Sequence, residues 1–244
     1  GGLGFFVWED ILRCGRDLGR LSLYSKMVLS FTAALILGGG LFFLLAEWDN
    51  PATLGDMPGW KRVLNAAFQA VTLRTAGFDT IGQGNLRDSS LAMSCILMLI
   101  GGSSGSTAGG LKTVTVGVLF LTLRAGLAGR EEVTLRGRSI SHRRVMNALT
   151  LTLIVAVIFL AGSMIISLVD DVPFLSAAFE SASAMATVGV TVGITPTLSL
   201  FSHVLLICMM FLGRVGIMSF SIAFLARSKY PAKIKYPTMD IMIG

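Results

Sequence analysis

TLRTAGF, from Thr72 to Phe78, and MATVGV, from Met185 to Val190, decide the fold. Each follows an apolar run too short to cross a bilayer, and each precedes a run long enough to cross one. A half helix that enters, a glycine-centred turn and a chain that comes back out make a re-entrant loop. Carbonyls freed at membrane depth are tolerated only where they line water or an ion path. Rings of such carbonyls are how cation channels replace an ion's hydration shell.

Composition points the same way. Hydrophobic residues make up 53% of the chain, charged residues 14%, and the mean hydropathy is +0.75, which excludes an ordinary soluble domain. The 244 residues hold about six to eight crossing or re-entrant segments at ~20 apolar residues each. The net charge of +6 sits in short stretches between apolar spans, with no aromatic-interleaved basic tract, so topology explains it and no nucleic-acid partner is expected. Cys14, Cys95 and Cys208 have no metal-like spacing, and His142 and His203 stand alone. With no paired carboxylates, Ser/His/Asp set or metal cluster, no enzyme chemistry is expected. The chain opens on GGLGFFV (Gly1 to Val7), which reads as the tail of an apolar segment already under way, as in the C-terminal part of a longer protein.

From there the pattern predicts an end of a preceding helix over 1–8 and a mixed-charge loop over 9–26. A repeat follows over 27–124: a span from Met27 to Leu45, an acidic turn, a half helix from Trp60 to Leu73, the glycine turn, and a long segment from Ser89 to Leu123. As one straight helix that segment would be ~52 Å long, so it must break, and Gly101–Gly110 (GGSSGSTAGG) is the place. A basic loop over 125–144 leads to a second repeat over 145–227 and a tail over 228–244. Arg124, Arg130, Arg136, Arg138, Arg143 and Arg144 in or beside the loop and Arg227, Lys229, Lys233 and Lys235 in or beside the tail fall on one side with the 9–26 stretch. Glu47, Asp49, Asp56, Asp170 and Asp171 fall on the other, which makes the basic side cytoplasmic.

The halves repeat one design. Ala67-Phe68-Gln69 matches Ala178-Phe179-Glu180, and Thr75-Ala76-Gly77-Phe78 matches Thr187-Val188-Gly189-Val190, with one insertion in the second copy. Both loops enter from the acidic side, which disfavours an inverted-repeat transporter. Glycine permits the dihedral angles that aim carbonyls inward, and the half helices turn their negative C-terminal ends toward the turn, favouring a cation. Gly101–Gly110 half-resembles a phosphate loop, but Leu111 separates Gly110 from Lys112 and no strand precedes it, which excludes nucleotide hydrolysis. Arg214, within FLGRVG, costs about 2.5–3.5 kcal/mol at mid-span, so it faces the pore or a partner unless the span shifts and lets it snorkel. Lys112 is either a pore-facing regulator or an interfacial anchor.

TLRTAGFDT, GGSSGSTAGGLKT, ATVGVTVGITPTLS and FLGRVG together resemble the Trk/Ktr/HKT superfamily of potassium transporters, most closely its Ktr-type membrane subunit. The resemblance implies an all-α integral membrane protein made of membrane helix–re-entrant pore loop–membrane helix units, two of an expected four. It implies K+ at the backbone carbonyls of Thr75, Ala76, Gly77 and Phe78 (third filter) and Thr187, Val188, Gly189 and Val190 (fourth filter). Leu73 stands where the third motif often carries proline. It further implies a gate built from Gly101, Gly102, Ser103, Ser104, Gly105, Ser106, Thr107, Ala108, Gly109 and Gly110, with Lys112 and Arg214. The implied setting is a bacterial cell membrane, as a homodimer of membrane subunits among lipids, with cytosolic nucleotide-binding regulatory subunits docked on the basic loops. A secondary transporter for another monovalent cation such as Na+, and a non-conducting membrane scaffold fragment, are the competing readings.

Overall fold

The computed structural model describes residues 2–15, 17–130, 132–135 and 137–215. The expected last span beyond 215, the basic tail, Arg16, Glu131 and Arg136 lie outside the described residues.

Eight helices are described: α1 (Phe5–Cys14), α2 (Leu23–Ala46), α3 (Gly59–Thr72), α4 (Asp88–Leu99), α5 (Thr113–Leu127), α6 (His142–Asp170), α7 (Phe174–Met185) and α8 (Leu200–Val215). The protein is an all-α membrane protein. Ser22 opens α2 by accepting the Ser25 N–H at 3.1 Å, and 24 apolar-rich residues then run without a break. At 1.5 Å per residue α2 is ~36 Å long and α6 ~44 Å, both sufficient for a ~30 Å hydrocarbon core. On α6, Leu149, Leu153, Val157, Leu160, Met164 and Leu168 are exposed at helical spacing, a continuous apolar stripe of the kind that suits a bilayer. Trp8, Trp48 and Trp60 are exposed near helix ends, as interfacial aromatics are.

The two repeats are plain. α2 hands the chain to the short α3, and α6 hands it to the short α7, whose N-cap is Pro173. α3 and α7 are ~21 Å and ~18 Å long, roughly two-thirds of a ~30 Å crossing each. α4, α3 and α7 share a core of small and medium side chains that includes Ala66, Ala70, Met98, Ala178, Phe179 and Ala182. In lipid no hydrophobic force drives helix against helix, so close packing of small residues takes over.

The break in the long segment falls where glycine and serine predict it: α4 ends at Leu99 and α5 begins at Thr113. Two stretches read as loop differ. α1 carries helix through Glu9 to Cys14, because a Glu9–Arg13 pair at 2.7 Å bridges one turn and apolar residues keep helical spacing until Gly15 (φ +57°) ends it. The 125–144 stretch is shortened at both ends by α5 and α6 and contains a small hairpin, β1 (Thr134–Leu135) against β2 (Arg138–Ser139), which turns through Gly137 at φ +78°.

On the acidic side each repeat closes through a carboxylate. Glu47, at the end of α2, accepts the Arg87 N–H at 3.0 Å, Asn50 Nδ2 at 2.6 Å and Thr53 Oγ1 at 2.8 Å. Asp170, at the end of α6, accepts the Ser199 N–H at 2.8 Å. Arg87 and Ser199 each lie ten residues beyond their turn glycine, just before α4 and α8. Burial raises the Glu47 pKa, but the nearby Ser90 hydroxyl, the Arg87 N–H, Asn50 and Thr53 together outweigh it, and the net shift is downward from 4.5. A lowered folded-state pKa lends stability that is complete above the unfolded value and is lost as pH falls through the folded one. In thermal unfolding of the full-length protein in detergent, Glu47→Gln is expected to lower Tm at neutral pH and to flatten the fall in Tm below about pH 4.5; a slope equal to that of the parent would place the acid sensitivity elsewhere.

Candidate ion-conducting turns and gating loop

Both turns have the same unusual backbone. Thr75 (φ +65°) and Gly77 (φ +80°) are left-handed in the first, Thr187 (φ +53°) and Gly189 (φ +94°) in the second. A β-branched threonine at positive φ is disfavoured, so neighbouring contacts must hold it. A side-chain hydroxyl near the end of each half helix does part of that. Thr72 Oγ1 accepts the Phe78 N–H at 2.8 Å and donates to the Phe78 carbonyl at 2.5 Å. Ser183 Oγ accepts the Gly189 N–H at 3.2 Å. Thr72 and Ser183 are both four residues beyond the paired phenylalanines Phe68 and Phe179, so the insertion lies after them, in the last turn of α7.

The turns touch each other. A Cβ on Gly77 would collide with the Val188 carbonyl oxygen, so the first turn tolerates no side chain there in either conformation or space. Gly189 faces open space on the described residues and is constrained by its φ alone. Ala76, Phe78 and Thr187 flank these positions, and Val188 and Val190 are buried in the core that joins the repeats.

Gly101–Gly110 packs against the second turn and is held from several directions. A Cβ on Gly109 would lie 2.6 Å from the Ala186 carbonyl oxygen and 2.5 Å from Thr187 Oγ1. At its ends, the Leu111 N–H donates to Leu99 at 2.9 Å and the Thr113 N–H to Gly102 at 3.0 Å. The chain before α1 reaches it, since the Ser103 N–H donates to Gly2 at 2.8 Å and the Phe5 N–H to Gly105 at 3.2 Å. Tyr24 donates its hydroxyl to Ser104 at 3.1 Å, and Ser106 Oγ donates to Ser103 at 2.6 Å. Two cations grip adjacent carbonyls: Arg214 Nη1 donates to Thr107 and Lys112 Nζ to Ala108. Gly101, Gly102, Ser103, Ala108 and Gly109 are buried, and Gly110 is half-buried.

Three groups escaped sequence reasoning. Arg74, inside the quoted motif, is buried and donates through Nη2 to the Gly101 carbonyl at 3.1 Å and to Thr113 Oγ1 at 3.0 Å, so it ties the first turn to both ends of the loop. Gln69, Gln83 and Asp79 form a cluster behind the first turn, and Glu180, Thr191 and Thr195 one behind the second. The Gln69/Glu180 correspondence was visible as a marker of the repeat; its partners were not. A cavity of about 680 Å³ runs past the second turn, lined by Glu180, Thr187, Gly189, Thr191 and Arg214 among others. Among the described residues no group of three or more His, Cys, Asp or Glu is placed to hold a metal ion.

The model of the TrkH family, described as cation transport protein, matches residues 21–232. The potassium/sodium uptake protein NtpJ of Enterococcus hirae is 40% identical over 100% of this chain and 55% of its own length. The Ktr system potassium uptake protein B of Bacillus subtilis is 34% identical over 100% of this chain and 54% of its own length. The chain thus spans about half the length of the curated relatives it matches. Among solved structures, the crystal structure of the potassium transporter TrkH from Vibrio parahaemolyticus superposes with a TM-score of 0.67 at 22% identity, over 91% of this chain and 48% of that one, a likeness of fold. The matched family model covers most of the chain from α2 onward, and the chain belongs to the TrkH family of cation transport proteins.

Proposed function

We propose that this chain forms two walls of a potassium pore, with Thr75–Phe78 and Thr187–Val190 as filter turns and Gly101–Gly110, Lys112 and Arg214 as the gate. The observation that carries the reading is the repeated pair of left-handed residues two apart, Thr75/Gly77 and Thr187/Gly189. Reversing backbone handedness at alternate residues brings successive carbonyls toward one side, where they replace an ion's water. K+ would pass down its electrochemical gradient from the acidic side. The loop supports the gate assignment because it packs on the second turn and its carbonyls are occupied by two cations. Sodium is the second cargo to weigh, since the Enterococcus hirae relative is named for both ions.

The reading extends to a second membrane copy and to cytosolic nucleotide-binding regulatory subunits, in the cell membrane of a bacterium. Two relatives are named as lettered proteins of a Ktr system, which supports a partner protein of some kind. The exposed Arg138, Arg143 and Arg144, on the hairpin and the start of α6, offer the docking face.

Potassium-limited growth of an uptake-deficient bacterium carrying the full-length parent gene tests the filter. The parent is expected to rescue growth, and Gly77→Ser and Gly189→Ser to lose rescue or alter ion preference. Gly77→Ser is expected to be the more severe, because its side chain also meets Val188. Rescue untouched by both would make the glycines plain turns. Arg214→Gln, which releases the Thr107 carbonyl and removes a positive charge, is expected to raise the initial rate of K+ uptake several-fold at equal membrane abundance; an unchanged rate would remove Arg214 from the gate. Replacing Arg138, Arg143 and Arg144 together by serine is expected to reduce co-purification of the cytosolic subunits, and undiminished recovery would put docking elsewhere.

A further inference from the structure

The clusters behind the two turns occupy equivalent positions but place their charge differently. Counted from the turn glycine, Asp79 and Thr191 are both two residues on, and Gln83 and Thr195 both six. Counted from the shared Ala-Phe of the half helices, Gln69 and Glu180 coincide. In the first repeat Gln69 Nε2 donates to Gln83 Oε1 at 2.5 Å, and Gln83 Nε2 donates to Asp79 Oδ1 at 2.7 Å. Asp79 Oδ1 also accepts the Ile81 N–H at 3.2 Å and the Gly82 N–H at 3.1 Å. In the second repeat Glu180 Oε1 accepts Thr191 Oγ1 at 2.6 Å and the Val192 N–H at 3.0 Å, and Oε2 accepts Thr195 Oγ1 at 2.8 Å.

Each cluster therefore holds one carboxylate surrounded by donors. In the first repeat it sits on the exposed exit segment; in the second it has moved onto the half helix, where Glu180 is only 5% exposed. Among the described residues neither carboxylate has an ion-pair partner. A buried carboxylate is costly unless hydrogen bonds compensate it, and the Glu180 bonds all run to the segment that follows Val190. That residue also lines the cavity beside Thr187 and Gly189.

We propose that Glu180 is a specificity-determining residue of the second filter turn, its carboxylate pinning Thr191, Val192 and Thr195 to the half helix and setting a fixed negative charge behind Gly189, while Asp79 serves the first turn from the opposite partner. The inference rests on the pore reading above. Ion discrimination by carbonyls depends on cavity size or on ligand field strength, and Glu180 bears on both, because the pin resists collapse of the turn around a smaller ion and the charge strengthens the field.

The test uses the full-length protein in an uptake-deficient bacterium, with the ratio of Rb+ to Na+ uptake measured at equal membrane abundance. Glu180→Gln is compared with the triple variant Glu180→Gln/Thr191→Asp/Thr195→Gln, which rebuilds the first repeat's arrangement in the second. Glu180→Gln is expected to lower the ratio about tenfold, the factor that one charge-assisted hydrogen bond is worth. The triple variant is expected to restore the ratio to within about threefold of the parent. A Glu180→Gln protein with the parent's ratio overturns the proposal, as does a triple variant no better than the single one. Variants that never reach the membrane also overturn it, since the cluster is then a folding element only. A parent that takes up neither ion fails in its own arm and brings down the pore reading first.

Discussion

A peptide group at the depth of the hydrocarbon has no water to turn to, and the rest of this structure follows from that constraint. Within each repeat the backbone leaves its helix at membrane depth, at the glycine turn in both and at the long loop in the first. Each departure is met by side chains that take over the bonds a helix would have made. Thr72 and Ser183 replace the missing turn of α3 and α7. Arg74, Arg214, Lys112 and Tyr24 do the same for the loop, with donors alone, because the groups to be satisfied there are carbonyls. The loop can be glycine-rich because its order comes from outside it.

Packing obeys the same constraint. α7 is buried on every side from Ala177 to Met185 and is built mainly of alanine and serine, which lets backbones approach where lipid supplies no drive to associate. α6, beside it, turns its leucines outward. One helix is enclosed by protein while its neighbour keeps an exposed apolar face, and sequence length separates them: 12 residues against 29.

Length and glycine placement were the legible signals. The spans, the half helices and the broken long segment could be read because hydrocarbon thickness converts residue counts into crossings, and because GGSSGSTAGG cannot persist as helix. The charged stretch from Glu9 to Cys14 was misread because its charges mask an apolar spacing that continues through it, and the short hairpin at Gly137 was masked by its basic surroundings. In the site, the turn glycines stood out, but positive φ at Thr75 and Thr187 did not, since threonine gives no such signal. The grip of Arg74 on Gly101 and Thr113 and of Glu180 on Thr191 and Thr195 joins segments 11 to 39 residues apart. Those contacts depend on how a half helix is turned relative to its exit segment, and a single inserted residue in the last turn of α7 resets that register.

The same insertion has a consequence for how such a protein changes over generations. In a ring of identical subunits every substitution is multiplied around the axis, and a change too large in one position is too large in all of them. Here each repeat is encoded separately, and the two differ: one turn ends in Phe78 and the other in Val190, and the second carries one more residue between its paired phenylalanine and its turn glycine. On the pore reading proposed above, a mutation in one repeat would alter one side of the path and leave the turn of the other repeat unchanged. On that reading ion preference would change in small increments, one repeat at a time, without a form in which every repeat is altered at once.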